Sequence, residues 1–186
     1  HRIMETDVFK QFLHDASFWL KGYAVYRVLK KRHHHQSWEV WIERESAPSP
    51  EFIDTIAHQE AEQFQWFCFL QFLCDQQLKD AKAYAKERGV FLMGDIPILI
   101  DRDSADVWLH HSLFNLSFSA GAPPDFYSEF GQNWGFPIFD WDAIRKDHFD
   151  WWKKRLSYSE QFFDIVRIDH VIGFFRIWAI PPDHPS

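Results

Sequence analysis

Two aspartates each close a short, largely apolar run. Asp95 follows Val90-Phe91-Leu92-Met93-Gly94, and Asp169 follows Phe162 to Ile168. A continuous apolar run bounded by glycines reads as a strand buried on both faces, as parallel sheets require. In a βα barrel the polar residues at the C-terminal strand ends line the active site, whereas the opposite rim serves stability. Either aspartate alone could equally cap a helix or pair with a cation. In Arg167-Ile168-Asp169 the alternation of a strand puts Arg167 and Asp169 on one face, with Ile168 turned to the packing behind. A guanidinium beside a carboxylate favours its ionised form. An ionised carboxylate suits a nucleophile or charge stabiliser, while a general acid needs its pKa raised. An ordinary structural Arg–Asp pair is the competing reading.

Residues 101–141 carry Trp108, Phe114, Phe118, Phe126, Tyr127, Phe130, Trp134, Phe136, Phe139 and Trp141, punctuated by glycines and Pro123-Pro124. With little periodicity, this stretch reads as a long functional loop. Sugar rings present apolar C–H faces rimmed by hydroxyls, so a carbohydrate site joins flat aromatic platforms to short polar side chains. Trp108 and Trp134, with Asp125, Ser128, Gln132 and Asn133 nearby, fit that recipe. These residues suggest an aromatic-lined carbohydrate enzyme but do not set the reaction. A metal-dependent barrel hydrolase using Asp95, Asp169 and His170 is a further alternative. His33-His34-His35 does not read as a metal site, because adjacent loop residues do not converge on one ion.

The elements that must position these groups follow from periodicity. Val8, Phe9, Phe12, Leu13, Ala16, Trp19 and Leu20 predict a helix extended by Tyr23, Tyr26 and Leu29, with Lys30-Lys31-Arg32 in its last turn. Ser46-Ala47-Pro48-Ser49-Pro50 predicts a turn. A second helix carries the stripe Phe64, Phe67, Leu70, Cys74, Leu78, Ala81 and Ala85 and stops at Gly89. A third spans about Trp141 to Ser159, with Ile144, Phe149, Trp152 and Leu156 inward. Alternation of helices and strands is the pattern of a parallel α/β fold.

Composition bounds the function. The chain has 186 residues, 46% apolar and 25% charged, as a globular protein does. Its net charge of −7 lacks the basic footprint that nucleic acid needs. No apolar run approaches the roughly 18 to 20 residues that span a membrane. Cys68 and Cys74 lie on different helix faces, which points to free thiols in a reducing, cytoplasmic setting. Aromatic residues make up 19%, with 20 Phe and 10 Trp. The Phe read as core and the Trp excess as binding surface. A start at His1 and an end at Pro185-Ser186 read as an excerpt.

Taken in order, five motifs resemble the amylomaltases, the 4-α-glucanotransferase or disproportionating enzyme family. They are Gly94-Asp95-Ile96-Pro97-Ile98, Asp103-Ser104-Ala105-Asp106-Val107-Trp108, Gly121-Ala122-Pro123-Pro124-Asp125, Gly131-Gln132-Asn133-Trp134-Gly135 and Arg167-Ile168-Asp169-His170. Phe136-Pro137 and Gly173-Phe174-Phe175-Arg176-Ile177-Trp178 resemble the plant cytosolic branch. The resemblance implies an α/β fold, part of a (β/α)8 barrel around its third and fourth strands. Residues 1–50 would be a helical segment of the catalytic domain and 51–186 the partial barrel, with 101–141 covering the glucan. It implies retaining transfer of α-1,4-glucan between maltooligosaccharides, with glucose as an acceptor and no cofactor or metal. Asp169 matches the nucleophile, Arg167 stands beside it, and His170 matches a sugar-contacting position. Asp95 matches the aspartate that shapes the donor site, and Ser104, Trp108, Asp125, Tyr127 and Trp134 match substrate-side positions. The family reads Tyr-Phe where this chain reads Phe126-Tyr127. Its acid/base glutamate and transition-state-stabilising aspartate are expected on later strands. A non-catalytic glucan-binding module is the alternative.

Overall fold

The strand pair at the heart of the site is short and parallel. The computed structural model describes residues 2–182, and the chain divides into two compact units, His1–Ala81 and Lys82–Ser186. The division falls inside a long helix.

The first unit is helical. Thr6 caps α1 (Asp7–Asp15) by accepting from the Phe9 N–H, and α2 (Ser17–Arg32) follows after Ala16. The single helix expected here is therefore two, broken at a buried alanine that gives no sequence signal. Phe9 and Phe12 of α1 pack edge-on against Phe72, with ring centroids 5.2 and 5.6 Å apart. Ala16, Leu20, Ala24 and Cys68 complete that cluster. The basic end of α2 is as expected, and Lys30 Nζ donates to the carbonyls of His35 and Gln36 beyond it. A short α3 (Glu43–Ser46) precedes the turn. Ser49 then caps α4 (Pro50–Gln59), with Pro50 in the first helical turn, where its missing N–H costs nothing.

Helix α5 (Ala61–Glu87) ends as predicted. Gly89 adopts φ +68°, and the Val90 N–H reaches back to the Ala85 carbonyl. Its buried positions are Cys68, Phe72 and Asp75, whereas Cys74 and Leu78 are exposed. Asp75 can occupy the inner face because Lys79 Nζ lies 2.9 Å from its carboxylate.

The second unit opens with β1 (Met93–Pro97), three residues later than predicted. Val90, Phe91 and Met93 are exposed rather than buried. β1 pairs in parallel with β4 (Ile165–Asp169), the arrangement expected of an α/β fold. Between them come α6 (Ala105–Leu109), β2 (Phe114–Ala122), β3 (Gln132–Phe139), α7 (Trp141–Lys146) and α8 (Asp150–Ser159). The expected loop 101–141 thus holds the short helix α6 and then an antiparallel hairpin, joined on its β2 edge by β5 (Trp178–Ile180). The third helix is also two. His148 and Phe149 take left-handed backbone between α7 and α8, leaving Phe149 exposed and Trp151 and Trp152 buried. The core joins Phe114, Phe139, Trp151, Trp152 and Phe174 through ring contacts of 5.0–6.0 Å.

Candidate active site

Register builds the site. On β1, Gly94 and Ile96 turn inward while Met93, Asp95 and Pro97 face out; β4 alternates likewise, with Arg167 and Asp169 outward. Asp95 lies opposite Arg167, and Pro97 opposite Asp169. The pleat therefore sets the three charged side chains on one face, as the strand alternation of β4 requires. Arg167 Nε donates to Asp95 Oδ1 at 3.0 Å, and its Nη2 donates to Asp95 Oδ2. The same Nη2 stands 3.6 Å from Asp169 Oδ1. The sequence paired Arg167 with Asp169, its near neighbour; the bidentate partner is Asp95, 72 residues away. No single-strand pattern carries that cross-strand pairing.

The fork has an electrostatic consequence. Hydrogen bonds from Arg167 hold the Asp95 carboxyl below the usual carboxylate range, and the Asp95 hydrogen bond pushes the Arg167 guanidinium up. Asp95 is therefore an acceptor fixed as a carboxylate and unsuited to donating a proton. Asp95 itself lies third in its five-residue strand, where the sequence placed it after the strand.

His170 leaves β4 with φ +52°. Its ring meets Trp134 edge-on, centroids 5.1 Å apart. Trp134 is held from the other side, its indole N–H donating to Gln132 Oε1 at 2.9 Å. The hairpin thus delivers an aromatic ring to the end of the strand that carries Asp169. Asp125 and Tyr127 sit in the connection between β2 and β3. Asp125 Oδ1 accepts from the N–H groups of Tyr127 and Ser128, both at 2.8 Å, and so shapes the turn. Phe126 and Tyr127 are 96% and 92% exposed and meet edge-on.

Two expected substrate contacts have other tasks. Trp108 is fully buried at 0% exposure, so neither indole face is open to a sugar. Truncating such a core indole costs on the order of 3–5 kcal/mol, which is a packing role. The Ser104 hydroxyl accepts from the Val107 N–H at 3.2 Å and caps α6, which carries Trp108 inward. Asp95, Asp169 and His170 do not make a metal-binding group; among the described residues no cluster of three His, Cys, Asp or Glu side chains does.

The 4-alpha-glucanotransferase family profile matches residues 2–186. The chain belongs to that family. A Chlamydia pneumoniae 4-alpha-glucanotransferase is 42% identical over 170 residues, covering 91% of this chain and 32% of the relative. The Oryza sativa subsp. japonica 4-alpha-glucanotransferase DPE2 is 39% identical over 191 residues, covering 100% of this chain and 20% of its own length. The amylomaltase from Streptococcus agalactiae in complex with acarbose superposes with a TM-score of 0.88 at 29% identity, over 95% of this chain and 37% of that one. The chain spans about a third or less of the length of the curated relatives described. In this 4-alpha-glucanotransferase family chain, Asp95, Arg167, Asp169, His170 and Trp134 come together. Asp125 and Tyr127 make their contacts within the hairpin connection, and Ser104 and Trp108 serve the core. Gln132, read from sequence only as a short polar neighbour, holds the Trp134 ring in place.

Proposed function

We propose that this chain contributes the nucleophile and one wall of a glucan-transferring active site. The row Asp95–Arg167–Asp169 on one sheet face, with His170 and Trp134 at its end, carries this reading. In the proposed reaction an Asp169 oxygen attacks the anomeric carbon of an α-1,4-linked glucan. The glycosidic bond breaks, and a second carboxyl protonates the departing 4-oxygen. The glycosyl ester has inverted anomeric configuration, and the second displacement restores it, so the transfer retains configuration overall. An acceptor sugar 4-hydroxyl then attacks the ester and gives its proton to that second carboxylate, and Asp169 leaves as a carboxylate.

Asp95 is not that second carboxyl, because Arg167 keeps it ionised and doubly engaged. The resemblance to the family assigns the acid/base role to a glutamate on a later strand. Arg167 Nη2, 3.6 Å from Asp169 Oδ1, places a positive charge beside the oxygens that form and release the ester. Transfer rather than hydrolysis needs an acceptor site that excludes water, and the exposed ring tip Phe126, Tyr127 and Phe130 is suited to cover a glucan. Substrates of this class are maltooligosaccharides and longer α-1,4-glucans, and acarbose in the Streptococcus agalactiae enzyme is in keeping with that class. Free Cys68 and Cys74 agree with a cytoplasmic setting. No helix among the described residues is long and apolar enough to cross a membrane.

The intact gene product, given maltotriose, should form glucose together with longer maltooligosaccharides. Asp169→Asn should abolish this transfer and the covalent glycosyl-enzyme seen by mass spectrometry. An ester still formed by the Asn variant would overturn the nucleophile assignment. Maltooligosaccharide binding without any turnover by the wild type would favour the binding-module alternative.

A further inference from the structure

Arg155 on α8 occupies a position that packing alone does not explain. Its Nη2 donates to the Pro97 carbonyl at 3.0 Å, at the C-terminal end of β1. Its guanidinium carbon lies 5.4 Å from the Trp151 ring and 5.1 Å from the Trp152 ring. A flat guanidinium can lie against indoles and donate in its own plane at once, which an ammonium cannot. Nη1 is buried without a hydrogen-bond partner among the described residues. Burying a guanidinium with an N–H unpaired is costly, and an aliphatic side chain would fill the same volume without that cost. The bond to Pro97 is what an aliphatic side chain would not supply.

That bond ends where the chemistry begins. Pro97 is the register partner of Asp169. The next residue, Ile98, is 1% exposed. A Cβ built on Gly173 would stand 3.2 Å from Ile98 Cδ1 and 3.2 Å from His170 Cδ2, so both side chains close on the turn that follows Asp169. Trp152, one of the two indoles beneath Arg155, meets Phe174 of that turn at 5.0 Å. Arg155 therefore braces the turn from two sides, through the end of β1 and through its own indole platform.

Taking glucan transfer as the reaction of this site, we propose that Arg155 is a positioning residue that fixes Asp169 and His170 by clamping the C-terminal end of β1. It touches no substrate; it acts through Pro97, Ile98 and Trp152. The test is Arg155→Met and Arg155→Lys in the intact gene product, assayed on maltotriose. Met should lower kcat by about 100-fold per correctly folded molecule, the cost expected when reacting groups shift by about 1 Å, with KM changing much less. Lys, which can still reach the carbonyl, should recover part of the loss. The imidazole NMR signals of His170 should shift in the Met variant, and in the Lys variant by less. A folded Met variant with wild-type kcat, or a loss that merely follows the unfolded fraction, overturns the proposal. If Met does not fold, Lys with wild-type kcat and an unmoved His170 signal overturns it as well. A wild type that transfers no glucan instead refutes the reaction, and the His170 signals then decide on Arg155 alone.

Discussion

Asp95 binds both arms of the Arg167 fork and leaves the same guanidinium 3.6 Å from Asp169. Removing the Asp95 charge frees the fork to swing fully onto Asp169, the proposed nucleophile, and tie it up as an ion-pair partner. Asp95→Asn should therefore lower kcat for maltotriose transfer, while the melting temperature stays close to that of wild type, because the pair is about half exposed and screened. An unchanged kcat would show that Asp95 does no more than decorate the strand. The pH dependence has a definite sign. Arg167 hydrogen bonds place the folded-state value of Asp95 below its ordinary 3.8, so the pair is complete above that pH and is lost only as pH falls through the lower, folded value. An acid limb of the rate profile above pH 3.8 therefore belongs to another group.

The hairpin β2–β3 holds Trp134 in place, and its tightest point is Gly121. A Cβ there would stand 2.1 Å from the Gln132 carbonyl oxygen and 2.5 Å from Ile180 Cδ1. The first neighbour is backbone and cannot turn away. At Gly94 the clash is with the Phe163 ring, which can. Gly121→Ala should destabilise by about 1–3 kcal/mol, the usual cost of overpacking, read from the urea unfolding midpoint. It should cost more than Gly94→Ala, and the reverse order would count against a rigid hairpin. This hairpin was illegible in the sequence for physical reasons. Its ladder is interrupted between Asn115 and Ser119 and again between Ser119 and Gly121, so no simple two-residue alternation survives. The breaks at Ala16 and at His148-Phe149 use no glycine or proline, so nothing punctuates them. The Gly89 stop and the shared face of Arg167 and Asp169 depend on neighbours within a few residues, and those were legible. The Asp95–Arg167 fork and the buried state of Trp108 depend on the register and packing of distant segments, which no local window contains.

Across the whole molecule the tryptophan excess has two causes. Trp38, Trp41, Trp108, Trp151 and Trp152 are buried, so half of the ten build the interiors of the two units. The composition therefore overstated the sugar-binding surface, because indoles also fill the volume between helix and hairpin. Trp134 differs in being half-buried, anchored by Gln132 and set against His170. Trp178 is 51% exposed on β5, the strand that joins the same sheet. If glucan lies over the end of β4, the indole whose surroundings change most is Trp134. Titrating maltooligosaccharides into the intact protein should change its tryptophan fluorescence, and Trp134→Phe should remove most of that change while leaving most of the total emission. The buried indoles keep their surroundings in both states, so they supply emission but no response. A full ligand response in the Phe variant would move the sugar platform from β3 to Trp178, on the opposite edge of the three-stranded sheet.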